Sequence, residues 1–125
     1  MSKNFLQLND LGAYKESFKL SNYIWKLIIS WNYFAKKTVG NQFVRSIDSI
    51  SANVAEGFGR RTKRDKVKFY YYAYGSICES LDWNEKSKVR NLVSLEDHDF
   101  IITKLQELKK EINSLIKFTM ERMKS

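Results

Sequence analysis

Apolar residues recur at spacings of three and four along most of the chain, and nowhere alternate over a useful length. That period predicts helices and no sheet. The first amphipathic segment runs from about Asp10 to Thr38, with Leu20, Ile24, Leu27, Trp31 and Phe34 on one stripe. A second stripe, Tyr14, Phe18, Ser21, Trp25 and Ile28, lies beside it. Two adjacent apolar stripes exceed what one neighbour covers, so this helix is expected to bury a second face. The second segment, Asn41 to Gly59, carries Val44, Ile47, Ser51, Val54 and Phe58, and its glycines supply the stop.

The third segment opens at Thr62, a candidate cap answered by Asp65, and frays near Asn91. Its stripe reads Val67, Tyr70 or Tyr71, Tyr74, Cys78 and Leu81. Ser94 caps the fourth, and Glu96, Asp97 and Asp99 suit the positive end of its dipole. Ile101, Leu105, Leu108, Ile112, Leu115 and Thr119 form its inner face. Four such helices with short connections predict an all-α, antiparallel up-down four-helix bundle, with residues 1–125 as a single domain.

Composition sharpens this picture in two ways. The 125 residues include no proline and five glycines, which favours long uninterrupted helices. A formal charge of +8 points to an anionic partner, nucleic acid before a membrane surface. The lone Cys78 excludes an intrachain disulfide and reads as a small buried hydrophobe. The opening residues hold no leader-like apolar run, and no segment reaches membrane-spanning length, so a cytoplasmic protein without a membrane partner is expected.

Candidate chemistry gathers on the second and third helices. Arg45, Ser49, Asn53, Glu56 and Arg60 share a stripe distinct from the apolar seam, and Tyr72, Ser76, Glu79 and Trp83 share another. Small residues on both let the helices approach closely, so Asn53 and Glu56 are expected to meet Ser76 and Glu79. Two readings are open: a structural polar layer that fixes register, or two carboxylates, Glu56 and Glu79, doing acid–base or metal work. The layer is preferred, because a di-metal bundle brings Glu-x-x-His pairs and this chain has one histidine. That residue, His98, reads as a solvated member of the cap region.

No nucleophile-elbow, P-loop, dinucleotide or zinc motif is present, so no enzyme, catalytic residue, metal or cofactor is expected. The basic run is richer. Arg60, Arg61, Lys63, Arg64, Lys66 and Lys68 make six of nine residues cationic, and Phe69-Tyr-Tyr-Tyr72 follows directly. Cations beside aromatics can hold phosphates and stack bases. Four consecutive aromatics on a helix cannot all face one core, so some meet a subunit, a ligand or solvent.

Arg45-Ser-Ile-Asp-Ser-Ile-Ser-Ala-Asn-Val-Ala-Glu-Gly-Phe-Gly-Arg60 resembles the motif of the four-helix bundle proteins encoded in intervening sequences of bacterial 23S rRNA genes, sometimes labelled ribosomal proteins. Tyr74-Gly-Ser-Ile-Cys-Glu79 is similar to that family's second motif. Asn53, Ala55, Glu56, Gly57, Arg60, Gly75, Ser76 and Glu79 are the matching positions, within a resemblance covering about residues 14–120. One departure is Lys37-Thr-Val-Gly-Asn41, where many relatives carry a proline in the first interhelical loop. The resemblance implies a left-handed bundle assembling into a ring-shaped homopentamer. The architecture is also similar to accessory proteins of diversity-generating retroelements, which resemble nucleic-acid chaperones for a reverse transcriptase. A non-enzymatic, oligomeric nucleic-acid-binding protein is therefore expected, taking RNA before DNA and contacting phosphates through the basic run. The alternative is a scaffold or accessory subunit for a protein partner such as a reverse transcriptase.

Overall fold

Helix follows helix through a computed structural model that describes residues 7–122. The first six residues, part of the opening stretch on which the expectation of no leader rests, lie outside them. After a 3-10 turn at Leu8–Asp10 come α1 (Gly12–Ile28), α2 (Tyr33–Ala35), a π turn (Lys36–Gly40), α3 (Asn41–Gly59), α4 (Lys63–Val89) and α5 (Leu95–Arg122). Among the described residues there is no strand. Because α2, the π turn and α3 run on as one rod, the bundle has four long members.

Both α1 and α4 pack against α3 and α5, so α1 and α4 occupy opposite corners. The α3–α4 pair is the most extensively packed. Short connections leave consecutive members antiparallel. The turns before Tyr33 and after Val89 share one end, and the turn around Arg61 lies at the other. Ile24, Phe43, Ile50, Ile77, Leu105 and Ile112 are buried in the core between the four members. Each such side chain contributes about 1.5–3 kcal/mol.

The first helix is shorter than its pattern predicts. It ends at Ile28, and Ile29–Asn32 make the turn. Asn32 Oδ1 accepts from the Ala35 amide at 2.9 Å and starts the next helix. The apolar spacing runs straight across this turn, through Ile28, Trp31, Ala35, Val39 and Phe43, all buried. A stripe that never breaks phase conceals a chain reversal. Phe34, expected on the inner stripe, is 75% exposed. Lys37–Asn41, expected to be a loop, is helical. Gly40 serves contact rather than turning: a Cβ there would meet Ile28 Cγ2 at 2.8 Å.

Later faces are rotated slightly from expectation. On α3 the core side is Phe43, Ser46, Ile47, Ile50, Val54 and Gly57, while Val44, Ser51 and Phe58 flank it. On α4 the buried line is Val67, Tyr70, Ala73, Ile77, Ser80, Asn84 and Ser87. Tyr74 and Leu81 are half-buried, and Cys78 is exposed rather than buried. On α5 the expected face is buried, except that Ile116 takes the inward place given to Leu115.

The caps follow their chemistry. Thr62 Oγ1 accepts from the Asp65 amide at 3.1 Å, and Ser94 Oγ from the Asp97 amide at 3.0 Å. The end of α4 is a Schellman motif: Asn91 takes φ 58°, and the Leu92 and Asn91 amides return to the carbonyls of Ser87 and Lys88.

Candidate nucleic-acid interface

The turn from α3 to α4 collects the basic run at one end of the bundle, and the six cations divide by what they touch. Lys66 lies across the C-terminus of α3, where its ammonium donates to the Phe58 carbonyl at 2.7 Å and reaches the Gly57 carbonyl at 3.4 Å. Those carbonyls are the negative end of the helix dipole. Burial lowers the Lys66 pKa below the ordinary lysine value. Lys63 reaches the Met120 carbonyl on α5 at 3.3 Å. Both therefore bind the bundle together. Arg60 pairs with Glu56 at 2.7 Å and stacks over Phe69 at 4.6 Å. Arg61, Arg64 and Lys68 are exposed and make no ion pair among the described residues. Lys68 also lies 5.3 Å from the Phe69 ring centroid.

The aromatic run beyond Lys68 is split by helical phase. Tyr70 is 2% exposed, and its pKa is pushed up to about 12 by burial. Phe69 is half-buried and meets Tyr72 edge-to-face at 5.4 Å. Tyr71 and Tyr72 are exposed. Cations and aromatic faces thus share one solvent-facing surface, with Arg60 and Lys68 against the same ring.

The polar layer takes other residues than expected. Asn53 Nδ2 donates to the Ser49 carbonyl of its own helix at 2.8 Å, and Glu56 is engaged by Arg60. Ser76 is half-buried and Glu79 exposed, and neither makes a side-chain hydrogen bond to α3 among the described residues. Away from the turn, a side-chain pair that joins α3 to α4 is Ser80 Oγ donating to Ser46 Oγ, buried, at 3.0 Å. Further along α4, Asn84 Nδ2 donates to the His98 carbonyl at 3.1 Å. His98 itself is 5% exposed, a correction to its expected solvated place. Its ring nitrogens lie 3.1 Å from Glu85 and 3.1 Å from Asp99. Ser80, Asn84 and Ser87 recur at four and three on α4, in phase with Ile77. That phase was the available signal for an inward polar line.

The family model for the 23S rRNA-intervening sequence protein matches residues 9–114. The chain belongs to that family. A crystal structure of a protein of unknown function from the S23 ribosomal protein family of Bacteroides thetaiotaomicron is similar in fold. It aligns with a TM-score of 0.75 at 21% identity, over 84% of this chain and 95% of that one. No curated protein matches significantly.

The motif positions of the 23S rRNA-intervening sequence family have distinct surroundings here. Gly57 is buried against Tyr70. Gly75 is exposed at mid-helix, and a Cβ there would meet nothing within 4 Å. Among the described residues no helix is long and apolar enough to cross a membrane.

Proposed function

We propose that this chain is a non-enzymatic, oligomeric nucleic-acid-binding protein of the cytoplasm that takes RNA before DNA. The observation that carries this reading is the group of outward cations, Arg60, Arg61, Arg64 and Lys68, gathered at the α3–α4 turn. Cations at that density neutralise phosphates. Lys63 and Lys66 hold the platform that presents them.

The finer reading is a ring-shaped homopentamer. Its support is apolar surface that one chain leaves uncovered: Phe18 and Trp25 on α1 with Ile29 just beyond it, and Tyr71 and Tyr72 on α4, each 49–59% exposed. Gly75 on the same helix as the two tyrosines costs α4 about 1 kcal/mol relative to alanine and has no contact within its own chain to justify it. Close approach of another chain would explain it. The same faces favour a second reading, a scaffold for a protein partner such as a reverse transcriptase. Light-scattering mass on gel filtration, read by ultraviolet absorbance without nuclease treatment, tests both. A ring-sized particle carrying nucleic acid supports the proposal. A ring that emerges free of nucleic acid, and retains a protein partner after nuclease, favours the scaffold.

A further inference from the structure

Opposite the basic turn, at the end where α1 hands over to α2 and α4 to α5, lies a groove of about 670 Å³. Asn32, Phe34, Lys37, Gln42, Trp83 and Arg90 are among the residues lining it. α2 and the π turn shape one wall: the buried Ala35 and Val39 and the exposed Phe34, Lys37 and Thr38 all line it. The other wall is the last turns of α4. Lys86, already paired with Asp82 at 2.6 Å, lies over the Trp83 ring at 4.5 Å. Lys37 and Arg90 are exposed and have no ion pair among the described residues. No acidic side chain lines the groove.

We propose that this groove is a second contact for single-stranded nucleic acid, with a base against Phe34 and Trp83 and phosphates on Lys37 and Arg90. The inference rests on the nucleic-acid reading above but concerns a different end of the molecule. Aromatic planes beside unneutralised cations match a base joined to a phosphate. The volume lies within the range of small-ligand sites, roughly 300–1,000 Å³. The lining itself, with Lys37 and Arg90 and no carboxylate, fits an anionic occupant. Arg64 and Arg90 stand at opposite ends of α4, about 39 Å apart at 1.5 Å per residue. A strand reaching both ends gains avidity that a short oligonucleotide cannot.

The test compares F34A/R90E, R61E/R64E and the unaltered protein as whole chains, titrated with an oligouridylate of about 20 nucleotides at low salt. Light scattering follows particle mass, and melting confirms folding; Phe34, Arg61, Arg64 and Arg90 are all exposed. Each variant is expected to lose about tenfold or more in affinity at unchanged mass. Tryptophan fluorescence of R61E/R64E is expected to be quenched by the oligonucleotide, and W83F in that background to remove most of the quench. If F34A/R90E binds as the unaltered protein does while R61E/R64E fails, the groove is overturned and the basic-end reading stands. If affinity and particle mass fall together in F34A/R90E, the groove is a contact between copies and the proposal is overturned. If the unaltered protein does not bind at all, the functional reading falls with it.

Discussion

The ring of Tyr70 occupies the space a side chain at position 57 would need. A Cβ on Gly57 would stand 2.6 Å from Tyr70 Cε1 and 3.1 Å from the Lys66 carbonyl oxygen. Tyr70 is fully enclosed, so it has nowhere to retreat. The contact locks α3 to α4 directly beneath the basic turn, which makes it the hinge pin of the proposed binding surface.

Gly57→Ala and Gly75→Ala should therefore move stability in opposite directions. The first overpacks a rigid contact, costing about 1–3 kcal/mol against about 1 kcal/mol of recovered helix propensity. A net loss that lowers Tm by several degrees is expected. Gly75→Ala meets open space within the chain and should stabilise the dispersed monomer by about 0.5–1 kcal/mol. Thermal melts of both variants check this. If Gly75 faces a neighbouring copy, the same alanine should also loosen the assembly.

Lys66→Met should cost about 1–2 kcal/mol, since it strips the carbonyls of Phe58 and Gly57 of their cation. Arg61→Glu and Arg64→Glu lie on open surface and should each stay within about 0.5 kcal/mol. Urea midpoints separate these two kinds of basic residue. Equal effects from all three would remove the distinction between platform and contact cations.

Alkali should unfold the protein through two tyrosines. Tyr70 is pushed up to about 12 by burial. Tyr23 is raised to about 12 by burial first, then by its 2.5 Å hydrogen bond to Asp97 and the charges of Asp97 and Glu96. Each phenol is harder to ionise folded than unfolded. The stability it confers is complete below about pH 10 and is lost as pH climbs through about 12. Tyr70→Phe removes one of these ionisations and should flatten that loss. Urea midpoints across this range, with tyrosinate absorbance recorded alongside, provide the check.

The proposed ring makes a mixing prediction. The uncovered faces of α1 and α4 sit at opposite corners, as a head-to-tail contact requires. Trp25→Glu spoils one face and Tyr72→Glu the other, so each variant alone should be monomeric. Mixed, they should form a single heterodimer through the two intact faces. Light scattering that finds either variant still in full-sized rings would contradict the arrangement.

Much of this molecule was legible in its apolar spacing, and the misses have physical causes. The rods Asn41–Gly59, Lys63–Val89 and Leu95–Arg122 follow from period and caps. The α1 boundary did not, because Ile28, Trp31, Ala35 and Val39 keep helical phase through a turn started by Asn32. Gly40 reads as a breaker in sequence but serves the close approach of Ile28. On α4 the core register is held by Ser80, Asn84 and Ser87, so an inward line looked polar and Cys78 was placed inside. The basic run was visible as a cluster, yet only contacts could separate Lys63 and Lys66 from Arg61, Arg64 and Lys68. The groove at the other end draws on Phe34, Trp83 and Arg90, which no short motif unites.

Outward cations at the α3–α4 turn are proposed to hold nucleic-acid phosphates, and the nucleic-acid reading depends on them. The most direct test is the affinity for single-stranded RNA measured across a salt series, for the unaltered protein and for an R61E/R64E/K68E variant. Tight binding at low salt that falls steeply as salt rises is the predicted result. The variant's log–log slope should be shallower by about two or more, at about 0.7 per lost phosphate contact. Identical slopes and affinities for the two proteins would contradict the assignment.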